Sequence, residues 1–234
     1  MRTGSASLFS RRNNDMKRWI AAALALMLCA GCAATPESTA ASSISVGQSE
    51  PENFPAPGQS QTSVPAPAEP LSLSEPMLVT SFGQSTDGLL VREMLTDLGA
   101  VFTYEPMASP DILPDYPTLI LAVGASAKAL DASGLDSEEE YGRAEQLLCA
   151  VPDSCTVVMI RLGDSANQDS LTSDLIQLTL PSADLILATE SGDRSGTIAQ
   201  YAAEHELPCL TRGTVREMKE LLGEMTGFKP LPPA

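Results

Sequence analysis

Few residues in this chain have the types and spacing that chemistry needs. His205 is the only histidine. Serine nucleophiles are activated by a histidine that a carboxylate orients. His205 follows Ala202-Ala203-Glu204 near the end of an expected helix, where an imidazole is favourable beside the negative dipole end alone. Ser165, in Gly163-Asp164-Ser165, therefore has no evident activating partner. There is no His-x-x-x-His and no paired-cysteine spacing, so neither a metal site nor a cofactor is expected. Glu138, Glu139 and Glu140 read as the solvated first turn of a helix, favourable at its positive end. No catalytic residue is assigned.

What remains is suited to binding. Gly83-Gln84-Ser85-Thr86-Asp87-Gly88 joins an apolar run to an amphipathic one. Helix starts carry unpaired N–H groups and a partial positive charge, so Gln84, Ser85 and Thr86 could receive an anion or a polar ligand group. The same serine, threonine or aspartate could instead simply cap the helix. The turn lacks Gly-x-Gly-x-x-Gly and lacks Gly-Lys-Ser/Thr, so it is neither a dinucleotide fingerprint nor a P-loop. Ser126 and Lys128 follow a second apolar run. Arg194 lies among Gly192, Asp193, Ser195 and Gly196; it could take an anionic group or form a surface ion pair with Asp193 or Glu190.

Gly163-Asp164-Ser165 resembles the nucleophile block of a lipase/esterase family. In that family the serine follows the first strand and a histidine lies two residues beyond a C-terminal aspartate. Here the triplet follows the fourth expected strand, and His205 has no such aspartate.

The elements that must position these groups are legible as a repeating unit. Met77–Phe82 is a short apolar run between Pro76 and Gly83, as in a strand buried on both faces. Leu90, Val91, Met94, Leu95 and Leu98 then share a helical face, and Gly99 is placed to end it. Further strands are expected at residues 100–105, 118–123, 156–162, 185–189 and 207–211. Helices are expected after Asp136, around residues 171–178, over 197–205 and around 215–222. Four prolines within residues 106–117 argue against a full helix there. Strands alternating with helices mean an α/β domain, three-layered and Rossmann-like or flavodoxin-like, with a mainly parallel sheet of five to six strands. Ligands of such sheets lie outside the strand carboxyl ends, here at the loops starting at Gly83, Gly124, Gly163 and Glu190.

Ahead of this domain, Arg11, Arg12, Lys17 and Arg18 precede an apolar run ending in Leu28-Cys29-Ala30-Gly31-Cys32. A basic segment, a short apolar core and small residues form a signal peptide, residues 1–31. The Ala-Gly-Cys ending resembles the lipobox of bacterial lipoproteins, although Cys29 stands where that motif usually carries leucine. The resemblance implies lipidation of the Cys32 thiol, with acyl chains such as palmitate, and cleavage before it. Either Met1 or Met16 could start the chain. Residues 32–76 hold this cysteine and a Pro/Ser-rich stretch without apolar periodicity, expected to be a disordered tether. As polyproline II that stretch would reach on the order of 130 Å, and as a random coil roughly 35–40 Å. Residues 77–228 form the domain, too short for a two-lobed clamshell, and 229–234 a tail.

The formal net charge is −16, and the signal peptide holds five cations against Asp15, so the exported part carries −20. Such a chain repels nucleic acid. The acidity favours solubility, or a cationic ligand or metal ions. Three cysteines remain beyond Cys32. Cys149 and Cys155 flank a helix-to-strand turn, so they could bridge in an oxidising compartment or be two small buried residues. Cys209 reads as core.

Ser81-Phe82-Gly83-Gln84-Ser85, residues 121–128 before Gly134-Leu135-Asp136, and Pro181-Ser182-Ala183-Asp184 are similar to a family of bacterial lipoproteins whose domain has no assigned function. The resemblance implies the flavodoxin-like or Rossmann-like fold and no activity. The expectation is a lipid-anchored protein on the extracytoplasmic face of a cell membrane. Its partners would be the membrane and an unknown small molecule or envelope protein. An enzyme acting on an envelope substrate and an envelope-assembly protein are the alternatives.

Overall fold

The computed structural model describes residues 72–163 and 169–227. The expected signal peptide, Cys32, nearly all of the expected tether, residues 164–168 with Ser165, and the expected tail lie outside the described residues.

Six strands form one all-parallel sheet: β1 Met77–Phe82, β2 Phe102–Tyr104, β3 Thr118–Val123, β4 Thr156–Arg161, β5 Leu185–Thr189 and β6 Cys209–Arg212. The spatial order is β2-β1-β3-β4-β5-β6. Among the described residues, six α-helices connect and cover the strands: α1 Asp87–Leu98, α2 Ala127–Ser133, α3 Ser137–Cys149, α4 Ser170–Thr179, α5 Thr197–Glu204 and α6 Val215–Met225. This is the flavodoxin-like order, carried one strand further.

The strand sequences explain the layering. β1, β3 and β5 are buried at every position, and β4 at all but Thr156. Their side chains alternate between two cores. Leu78, Leu119, Leu121, Val157 and Met159 meet α2, α3, α4 and α5 through Leu130, Leu147, Leu175 and Ile198. Met77, Val79, Ile120, Val158 and Ile160 meet α1 and α6 through Val91, Leu95, Met218 and Leu222. β2 and β6 are edges; β2 has Phe102 and Tyr104 half-buried, so both tolerate a less apolar composition.

Several boundaries differ from the sequence reading. The second strand shrinks to Phe102–Tyr104 and the sixth shifts to Cys209–Arg212, because an edge strand needs pairing on one side only. The proline-rich segment is, as its prolines require, no full helix but a 3-10 turn, Pro110–Asp115. The small-residue stretch after β3 contains α2, with Ser126 at its N-cap. The turn between Cys149 and Cys155 carries no disulfide bond. Cys149 is exposed at the end of α3, whereas Cys155 is buried in the core below β4, so the two side chains face different surroundings.

Candidate functional site

The order in which the chain adds strands reverses between β1 and β3, which pair in parallel from Met77↔Thr118 to Phe82↔Val123. This is the switch point at which such domains usually open a crevice. Here it is stitched shut. Gln84 and Ala125 form an antiparallel bridge. The Ser85 N–H donates to the Gly124 carbonyl at 3.1 Å, and the Ser126 N–H to the Gly83 carbonyl at 2.9 Å. Gly83 makes this possible: its φ is +89°, and a Cβ there would lie 2.5 Å from the Gly124 carbonyl oxygen.

Of the expected ligand residues of this region, Gln84, Ser85 and Ser126 make hydrogen bonds within the fold. Gln84, at φ 56°, donates from Nε2 to the Pro106 carbonyl at 3.1 Å and to Glu140 Oε1 at 3.4 Å. Ser85 Oγ accepts from the Asp87 N–H at 3.3 Å. Thr86 is exposed and makes no side-chain cap. Ser126 Oγ accepts from the Ala129 N–H at 3.4 Å, and Lys128 is exposed on α2.

One half-buried and one buried ion pair brace the same edge, and their residues are the ones sequence reasoning missed. Glu138 and Glu139 are exposed, as a solvated helix start requires, but Glu140 is fully buried. Its Oε1 accepts the Gly83 N–H at 2.6 Å, and its oxygens accept from Arg143 Nε and Nη2, both at 2.8 Å. Arg143 then donates to the Ser81 carbonyl at 2.5 Å and lies over the Phe82 ring. The second pair is Asp87 with Arg161, whose side chains are 3% and 5% exposed. Asp87 Oδ2 accepts from Arg161 Nη1 at 3.1 Å, from the Leu162 N–H at 3.0 Å and from the Gly163 N–H at 2.9 Å. Glycines crowd the guanidinium: a Cβ on Gly124 or on Gly163 would fall 2.6 Å from Nη1. Gly192, after β5, packs on the Arg161 carbonyl. Among the described residues, Arg161 Nε and Ser81 Oγ are buried without a hydrogen-bond partner.

The open space lies further along the edge, between the β5–α5 and β6–α6 loops. A cavity of about 540 Å³ is lined there by Glu190, Ser191, Asp193, Arg194, Thr211 and Gly213, among others. That volume is within the range of small-molecule sites, about 300–1,000 Å³. Arg194 is thus on the cavity wall, away from the Gln84–Ser126 cluster. Asp193 accepts the Ile198 and Ala199 N–H groups on its two oxygens, at 3.0 and 2.8 Å. The positive end of α5 is therefore already covered by a carboxylate. Next to it, burial and then Asp193 push the Cys209 thiol up to about 11, against a lowering hydrogen bond with Thr211. His205 is exposed and stacks on Tyr201 at the far end of α5. No group of three or more His, Cys, Asp or Glu residues converges as a metal site among the described residues.

A family model described as a domain of unknown function, DUF6305, matches residues 74–226. The chain belongs to the DUF6305 family. No curated protein and no solved structure matches it. The DUF6305 match covers all six strands and both core layers, so the zipped switch point, the two ion pairs and the cavity all fall inside it.

Proposed function

We propose that this DUF6305 chain is a lipoprotein anchored through Cys32 on the extracytoplasmic face of a cell membrane. Its α/β domain is a non-enzymatic binding module, raised off the membrane by residues 33–76, for a small polar molecule or an envelope protein. The observation that carries the binding reading is the open cavity of about 540 Å³ at the carboxyl edge of the sheet. Its charged and hydroxyl-bearing walls suit a polar ligand rather than an acyl chain. The asymmetry between an engaged helix start at Asp193 and the neighbouring Glu190 disfavours a phosphate there. Support for the anchor is the run Leu28-Cys29-Ala30-Gly31-Cys32 after a basic segment, and the −20 charge of the exported part argues against nucleic acid.

Two measurements test the reading. The Cys32→Ala chain should lose metabolic labelling by a fatty-acid probe and leave the membrane fraction; labelling that persists in the variant refutes the anchor. Native mass spectrometry of the full chain, extracted from membranes, should show an adduct of small-molecule mass that is lost in a Gly213→Trp variant. An adduct unaffected by that block, or turnover of an envelope substrate by the purified chain, would displace the cavity from the account.

A further inference from the structure

The contacts of Asp87 are those of a bound anion rather than of a surface ion pair. One oxygen, Oδ2, collects two successive backbone N–H groups, those of Leu162 and Gly163 at 3.0 and 2.9 Å, and a guanidinium N–H at 3.1 Å. Consecutive amides and a buried arginine converging on one oxygen are what proteins use to hold carboxylates and phosphates. The carboxylate also sits in the first turn of α1, where the helix dipole adds to its stabilisation. The seat is walled by glycines: a Cβ on Gly163 would lie 3.2 Å from Asp87 Oδ1 and 2.6 Å from Arg161 Nη1. Arg161 is 4% exposed, and its Nε has no partner, so the tethered carboxylate does not saturate the donors around it.

We infer that the end of β4 and the start of α1 form a carboxylate seat whose resident is the protein's own Asp87, an internal contact that closes this seat to outside anions. The inference is independent of the binding cavity, which lies between other loops. Its donors converge on a single carboxylate oxygen, so its external ligand class is the small monocarboxylate, with formate as the probe. A ligand of three heavy atoms reaches a Kd no tighter than about 0.5 mM.

The test empties the seat in the full chain by Asp87→Ala and follows thermal unfolding in sodium formate against sodium chloride at equal ionic strength. Formate should raise the Tm of Asp87→Ala saturably over the millimolar to hundred-millimolar range. The unaltered chain and Asp87→Asn, whose seats are filled, should respond alike to both salts. Adding Arg161→Met to Asp87→Ala should abolish the formate response. Equal responses of Asp87→Ala to formate and chloride overturn the inference, as does a formate response that survives Arg161→Met. Should Asp87→Ala be unfolded in chloride, the same comparison is read as the folded fraction recovered on dilution from urea: recovery in formate alone supports the seat, and equal failure in both salts rejects it.

Discussion

The backbone N–H of Gly83 donates to Oε1 of Glu140 at 2.6 Å, across 57 positions of sequence. The turn after β1 is thereby pinned to the first turn of α3. Glu140→Ala would strand the Arg143 guanidinium and the Gly83 amide together. The expected loss is about 2–4 kcal/mol, below the full cost for a buried pair because Arg143 is half-buried and keeps its bond to the Ser81 carbonyl. Glu140→Gln keeps an acceptor for the amide and should lose less. Urea denaturation of the two variants checks the order; equal losses would show that a neutral acceptor at this position recovers nothing and that the whole effect lies in the lost charge.

Gly83 and Gly99 separate two reasons for glycine. Both have positive φ, at 89° and 69°, but a Cβ meets the Gly124 backbone at 2.5 Å in the first case and nothing within 4 Å in the second. Gly99→Ala should cost only the left-handed strain, roughly 1–2 kcal/mol. Gly83→Ala should cost more, about 3 kcal/mol or beyond, since the bridge between the two loops must part. Denaturation midpoints of the pair decide it, and a Gly83→Ala no worse than Gly99→Ala would contradict the close approach.

Arg161→Met leaves Asp87 buried against two amides with no cation. We expect a loss of about 3–5 kcal/mol. The double change Asp87→Asn with Arg161→Met should recover part of it, because no net charge then remains inside. A double-mutant cycle by chemical denaturation measures the coupling; simple additivity would mean that the two side chains do not act as a pair.

Cys209 should be a poor nucleophile. Its thiol is raised from 9.0 to about 11, so its thiolate fraction at neutral pH falls roughly 100-fold. The exposed Cys149 should be alkylated by iodoacetamide first, with peptide mapping as the readout. The sign of the linkage follows from the same shift. The unfolded thiol ionises near 9 while the folded one stays protonated to about 11, so the contribution to stability is complete below pH 9. It is lost as pH rises from 9 to 11. A Cys209→Ala chain should lack that part of the alkaline decline, and an identical decline in both would remove Cys209 as its source.

The parallel sheet is readable because β1, β3 and β5 are short, mainly apolar runs without charges, closed by Gly83, Gly124 and Glu190. What escaped was short, at an edge, or paired over a distance. α2 looked like a loop because Gly124-Ala125-Ser126-Ala127 has too few large side chains to show a helical period. Arg161 at a strand end resembles any solvated boundary, and its partner is 74 positions away. Signals did exist for the two carboxylates. Asp87 shares a helical stripe with Val91, Met94, Leu95 and Leu98, all buried with it. Glu140 shares one with Ala144 and Leu147. An acid on the apolar stripe of a helix has to meet an internal donor, and here both do.

Leu73 is buried, and its N–H donates to the Met225 carbonyl at 2.9 Å, in the last turn of α6. The segment that enters the domain is therefore fastened beside the segment that leaves it. Any pull on the chain ahead of Leu73 loads this clasp first, and next the contact of Glu75 with the Val101 N–H at 2.8 Å. Behind them stands β1, laddered to β2 on one side and β3 on the other. Extracting it means sliding one strand out from between two, so that both ladders must shear at once instead of unzipping bond by bond. Mechanical resistance is thus concentrated at the point where tension along the leading segment would arrive.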